Sequence, residues 1–239
     1  MLRLTSPIMT VAQALFAMSM IVGCGQPYSS EPIAAIVTDA ATDLPIAGVN
    51  VVAYWDIYGG LESGFYEGNL NVVETTTDQS GAFLIPGWGP KWSTGVVKRW
   101  NPNFIFFKSG YVVKIESNAA HRGGEWSRGM FEWAAHIRSD LNNTKISLKA
   151  IGFGGAENAR DIEFLDDRLR TIGLERAAPC DWRKFTQTII SVEKEYRTLK
   201  RLGILKPRFE SLYDRLLENN SSISKQCSAS PTDLLRNIQ

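Results

Sequence analysis

The sequence predicts an α+β protein: an antiparallel Greek-key β-sandwich over residues 33–150, then a C-terminal helical segment over 156–222 built around a disulfide-clasped helical hairpin. Three observations carry this. Short β-branched runs punctuated by Gly, Pro, Asn and Asp fill the chain from Ile33 to about Lys149. Apolar residues recur at helical spacing from about Glu157 to Asn219. The change falls at Ile151-Gly152-Phe153-Gly154-Gly155, where three glycines favour a turn or hinge.

Ahead of the sandwich, residues 1–23 read as a signal peptide. Arg3 is the only charged residue before Cys24, and residues 8–22 are an almost unbroken apolar and small run. About 15 residues at 1.5 Å rise reach roughly 22 Å, short of the ~30 Å hydrocarbon core of a bilayer, so the segment is a secretory h-region and not a spanning helix. Ile21-Val22-Gly23-Cys24 resembles the lipobox of bacterial lipoproteins, in which the cysteine thiol receives a diacylglycerol and becomes the mature N-terminus. That resemblance implies lipidation at Cys24, further acylation such as palmitate, and a place in the cell envelope. Gly25 is not the aspartate that retains lipoproteins at the inner membrane in some Gram-negative bacteria, which favours the outer membrane, facing the periplasm or the cell surface. Residues 24–32 are expected to tether lipid to domain.

The full chain holds 26 basic and 25 acidic residues; without Arg3 the two balance. Balanced charge gives no case for nucleic acid as a partner, since phosphate binding needs clustered Lys and Arg. With Cys24 assigned to lipid, Cys180 and Cys227 remain as an even pair in an oxidising compartment, which predicts a disulfide. A metal pair or a reactive thiol is the competing reading; neither cysteine has a CxxC spacing or a nearby histidine.

The strands follow in order. Ala35 to Asp39 is a strand, residues 40–45 a polar turn stiffened by Pro45, and Ile46 to Tyr54 a second strand with Val49, Val51 and Ala53 on one face. Val72 to Thr77 and Ala82 to Ile85 flank Asp78-Gln79-Ser80-Gly81, a type I hairpin turn. Phe104 to Phe107 and Tyr111 to Ile115 form a hairpin about Ser109-Gly110, and Lys145 to Leu148 closes the sandwich. The order V-x-D-x-x-T-x-x-P-x-x-G-V-x-V (Val37 to Val51), T-D-x-x-G-x-F (Thr77 to Phe83) and S-G-Y (Ser109 to Tyr111) resembles the carboxypeptidase regulatory-like domains, prealbumin-like β-sandwiches of exported proteins. The resemblance covers about residues 33–149. Ala35 and Asp43 stand where that family usually has glycine, and segments 55–70, 86–102 and 117–143 interrupt the pattern. It implies a non-catalytic accessory or binding module.

Three helices are expected. Ile162, Leu165, Leu169 and Ile172 mark the first. The second runs from about Asp181, its N-cap, to Leu202, with Gly203 as its stop. The third starts near Pro207 and groups Phe209, Leu212, Tyr213 and Leu216. Residues 223–239 are expected as a tail.

Catalytic signals are few. The mature sequence has no HExxH, GxSxG, Walker loop or CxxC. His121 with Glu125, and His136 with Asp140, offer nitrogen and carboxylate at i, i+4, which keeps an envelope hydrolase or metal-dependent enzyme as the alternative. Prealbumin relatives that hydrolyse a small cyclic substrate use a histidine-rich site and a C-terminal tyrosine motif, whereas this sequence closes Leu235-Arg236-Asn237-Ile238-Gln239. No metal or cofactor is expected. The stronger signal is aromatic: Tyr58, Tyr66, Trp88, Trp92 and Trp100 fall in the interrupting segments and are the candidate partner-binding residues, with Lys98 and Arg99 beside Trp100. The favoured reading is a non-catalytic, lipid-anchored binding or assembly module for an envelope protein or glycan, peptidoglycan included.

Overall fold

A computed structural model describes residues 26–59, 65–93, 102–117, 135–137, 139–151, 155–174, 179–205, 210–232 and 234. Its strands, in chain order, are β1 Gln26–Ser30, β2 Ile33–Asp39, β3 Asn50–Gly59, β4 Phe65–Thr76, β5 Ala82–Ile85, β6 Trp88–Ser93, β7 Asn103–Phe107, β8 Lys114–Ser117, β9 Ala135–Ile137 and β10 Lys145–Leu148. The helices are α1 Gly155–Leu174, α2 Thr186–Arg201, α3 Leu212–Glu218 and α4 Asn220–Cys227, with a 3₁₀ turn at Asp181–Lys184 ahead of α2.

Two sheets face each other as a sandwich, one ordered β4-β3-β7-β8 and the other β10-β2-β5. Val51 and Ala53 of β3 and Phe104 and Phe106 of β7 meet Val37 of β2, Phe83 and Ile85 of β5 and Leu148 of β10. Phe104 and Phe106 stack at 5.9 Å, and Phe83 closes on Phe106 at 5.8 Å from the opposite sheet. The sandwich is not wholly antiparallel, because the closing strand β10 runs parallel to β2, with Lys145 opposite Ile36.

The local chemistry of the turns explains the corners. Asp39 Oδ1 accepts the backbone N–H groups of Ala41 and Thr42, both at 2.9 Å, which fixes the turn after β2. Asp43 adopts φ 59°, a left-handed conformation that aspartate tolerates. At 78–81, Asp78 Oδ1 accepts from Ser80 N at 2.8 Å and Ala82 N at 3.0 Å, so the turn is as expected. Its strands part company, however: β4 pairs with β3 while β5 pairs with β2. The turn is a corner between sheets and not a hairpin. Gly81 makes the corner possible, since a Cβ there would lie 2.4 Å from the Val37 carbonyl oxygen.

The second face of the four-stranded sheet is also buried. Val52, Tyr54, Val72, Ile105 and Phe107 form one core with Ile162, Leu165, Leu169 and Ile172 of α1 and Phe185 and Ile189 at α2. Each such side chain contributes about 1.5–3 kcal/mol on burial, so the helices are a third layer of the same body. The sequence reading treated the helical region as separate because alternation flags only one face of a strand; β3 and β7 bury both.

The helical layer departs from its expected boundaries. The stretch from Asp181 is a 3₁₀ turn that breaks at Phe185 before α2 starts. Gly203 ends α2 as anticipated, with φ 70° and a Schellman pair from Gly203 N to Lys200 O and Ile204 N to Leu199 O, both 3.0 Å. Ser211 caps α3 in a reciprocal box with Asp214, so that helix begins at Leu212; Pro207 and Phe209 lie outside the described residues. The expected tail is corrected: α4 reaches Cys227, and Ile223 and Leu234 are buried in the helical core. Cys180 and Cys227 are bridged with Cα atoms 5.4 Å apart, tying the start of the 3₁₀ turn to the end of α4.

Candidate functional site

The third sheet, β6-β1-β9, holds Trp88 and Trp92 of segment 86–102, whereas the described part of segment 55–70 lies on β3 and β4 of the four-stranded sheet. Most of the expected tether belongs to it. Gln26–Ser30 is strand β1, with Tyr28 only 2% exposed, because Tyr28 and Ser30 find strand partners on both sides and an apolar bed beneath. β6 runs antiparallel to β1, with Pro27 opposite Trp92, Tyr28 opposite Lys91 and Ser30 opposite Trp88. β9 runs parallel on the other side, with Ser29 opposite His136. Gly87 and Gly89 let β6 press on β1: a Cβ on Gly89 would meet Ser29 Cβ at 2.4 Å, and one on Gly87 would meet the Ser30 carbonyl oxygen at 2.9 Å.

The structure separates the three predicted aromatic residues whose side chains it describes, Trp88, Tyr66 and Trp92. Trp88 is half-buried and meets the core residue Trp55 edge-on, with centroids 5.1 Å apart and planes at 88°. Such a pair contributes about 0.5–1.5 kcal/mol beyond its buried area, and among the described residues neither indole N–H finds an acceptor, so Trp88 is largely a packing residue. Tyr66 is half-buried on β4 and donates to Asn69 Oδ1 at 2.9 Å; Asn69 Nδ2 in turn donates to Ile172 O at 2.9 Å, capping a free carbonyl near the end of α1. Trp92 is 70% exposed. Trp100 and the side chain of Tyr58 lie outside the described residues, as do Lys98, Arg99, His121 and the side chain of His136.

Lys91 was missed. Its ammonium lies 5.4 Å from the Trp88 ring centroid and donates to Asn71 Oδ1 at 2.7 Å and Leu70 O at 3.3 Å. Burial lowers its pKa, aided by the nearby Lys184 charge and opposed by Asp181. The sequence signal was the W-G-P-K-W run, in which a lysine lies between two tryptophans. Trp88 packs β6 on β3 and Lys91 ties it to β4, leaving Trp92 as the described aromatic of this set that faces outward.

A second cluster lies where α1, α2 and α3 meet. Asp166 Oδ1 accepts Leu212 N at 2.7 Å and Oδ2 accepts Arg170 Nε at 2.7 Å, while Glu193 takes Arg197 Nε and Ser211 Oγ, both at 2.7 Å. Burial raises the Asp166 pKa to about 6 and also raises that of Glu193. Shifted carboxylates often mark active sites, but every oxygen here is committed to a cap or an ion pair, so the cluster fastens helices. Among the described residues there is no group of three or more metal-ligating side chains, and no described helix is long and apolar enough to cross a membrane.

No protein-family model and no curated protein matches the sequence. Among solved structures, the chain is similar to 3-chlorocatechol 1,2-dioxygenase from Rhodococcus opacus 1CP, with 12% identity over 55% of this chain and 62% of that one and a TM-score of 0.30. It is also similar to a streptococcal ancillary pilin, with 13% identity over 53% of this chain and 30% of that one and a TM-score of 0.24. The chain thus spans less than two thirds of either. Likenesses this distant carry no argument about activity, and the sandwich rests on its own strand pairing.

Proposed function

We propose that the protein is a lipid-anchored protein of the bacterial cell envelope, on the outer membrane where one exists, and that it works as a non-catalytic binding or assembly module for a protein or glycan partner. One observation supports this most. β1, which opens two residues after Cys24, is hydrogen-bonded between β6 and β9, strands drawn from the interrupting segments 86–102 and 117–143. Two of the additions to the sandwich and the segment that follows the proposed attachment point therefore share one sheet, while Cys24 itself lies outside the described residues; an anchor there would hold these additions near the membrane surface. The core sandwich motifs are used up in turns and packing, which leaves specificity to the additions. Tyr58, Tyr66 and Trp100 are the aromatic residues we assign to the partner.

The test is capture from cross-linked cells with the intact lipoprotein as bait. Trp100→Ala should lose the partner while melting near wild type, and His121→Ala and His136→Ala should retain it. Loss of cellular function from either histidine variant with the fold intact would favour the hydrolase or metal enzyme instead. Cys24→Ser should abolish acyl labelling; unchanged labelling removes the anchor.

A further inference from the structure

Trp92 differs from Trp88, the other described aromatic residue of its segment, in facing water. It sits on β6, the edge strand of its sheet, beside Lys91, which is turned inward to Asn71. Its register partner on β1 is Pro27, three residues beyond Cys24. Three extended residues reach at most about 10 Å, and neighbouring strands lie about 5 Å apart, while the headgroup layer of one leaflet is roughly 5–8 Å deep. A lipid on Cys24 therefore holds the Trp92 backbone within a headgroup layer's depth or two of the acyl chains. Tryptophan is the side chain most at home at that boundary, having a large apolar body and a single N–H that can face water or headgroup oxygens.

We propose that Trp92 is seated in the headgroup layer of the membrane that holds the anchor, so that the β6–β1 edge rests on the bilayer and the sandwich has a fixed orientation to it. This rests on the lipidation of Cys24 put forward above. It assigns Trp92 to lipid and leaves Tyr58, Tyr66 and Trp100 to the macromolecular partner.

The test uses the mature acylated protein, purified from envelopes and reconstituted into phosphatidylethanolamine–phosphatidylglycerol vesicles, with or without lipids brominated high on the acyl chain. Subtracting the emission of Trp92→Phe, matched in thermal melt, isolates the signal of Trp92. The expected result is blue-shifted Trp92 emission, lost with brominated lipid and insensitive to acrylamide. Mass spectrometry of the same sample separates two failures. An unacylated Cys24 overturns both the anchor and the seat, whereas an acylated protein whose Trp92 stays open to acrylamide and blind to brominated lipid overturns the seat alone. Shielding of Trp92 only when another protein co-purifies also overturns it.

Discussion

Glu74 on β4 caps α2 from across the sheet–helix boundary, its Oε1 accepting both the backbone N–H and the hydroxyl of Thr188 at 2.6 Å. Its other oxygen takes Gln187 N at 3.1 Å, and Phe185, the residue before the helix, supplies no side-chain cap of its own. Asn69 on the same strand caps the far end of α1, so β4 holds two helix ends.

Glu74→Ala should therefore destabilise the fold by about 1–2 kcal/mol, the usual worth of an N-cap with some added charge–dipole attraction. Glu74→Gln, which keeps an acceptor, should lose less. Urea unfolding gives the magnitude, and faster hydrogen exchange at Gln187 and Thr188 would localise it; equal exchange in wild type and Glu74→Ala would show that the cap contributes nothing.

Asp166 makes stability fall as the solution is brought to neutrality. Its carboxyl titrates near 3.8 when free and at about 6 in the fold, so the folded state holds a proton that the unfolded chain has released between those values. The extra stability is full below the free value and gone once the pH has risen past about 6. Burial raises Glu193 and Glu74 in the same direction, and the exposed turn carboxylates Asp39, Asp43 and Asp78 are lowered, acting oppositely only at more acid pH. Unfolding free energy at pH 5 should exceed that at pH 7.5 by roughly 1–1.5 kcal/mol from Asp166 alone. Asp166→Asn, which can still accept from Leu212 N, should flatten that part of the slope.

Breaking the bridge with Cys180→Ser should cost about 4 kcal/mol in the chain-entropy description, since the bonded residues are 47 apart and the loop encloses α2, α3 and α4. Guanidinium melts of the oxidised, reduced and variant proteins give the comparison. A reduced protein as stable as the oxidised one would mean that packing alone holds α4.

Two glycines with left-handed backbone should respond differently to alanine. At Gly81, φ is 72° and the added methyl meets the Val37 carbonyl oxygen at 2.4 Å, so strain and collision combine to cost roughly 2–3 kcal/mol or more. Gly110, at φ 85° with nothing within 4 Å of a Cβ, should lose only the backbone preference, about 1–2 kcal/mol. Paired thermal melts decide this; equal losses would show that the corner at 78–81 yields to accommodate the methyl.

Much of the sandwich was legible because its turns carry their own chemistry: Asp39, Asp78, Gly81 and Gly110 specify geometry within a few residues. Partnering was less legible, since nothing local to 78–81 tells a corner from a hairpin, and nothing local to Lys145–Leu148 tells parallel from antiparallel. Gln26 to Ser30 read as a tether because one polar strand gains its reason to exist from β6 and β9, contributed some 60 and 110 residues later. Composition alone singled out Trp92 and Tyr66 as candidates, without telling which of them faces water. Lys91 and the packing role of Trp88 needed Trp55 and Asn71 from other strands, which spacing along the chain cannot reveal.

The doubly buried sheet has a consequence for how the molecule is made. Its last strand ends at Ser117, but the helical layer that covers its outer face begins at Gly155 and is complete only at Cys227, about 110 residues later. A chain delivered N-terminus first thus exposes Val52, Tyr54, Ile105 and Phe107 as a wet, sticky plane for the whole interval. Until its own C-terminal third arrives this plane has no cover of its own, and the helical layer then acts as an internal chaperone that stays bound for life.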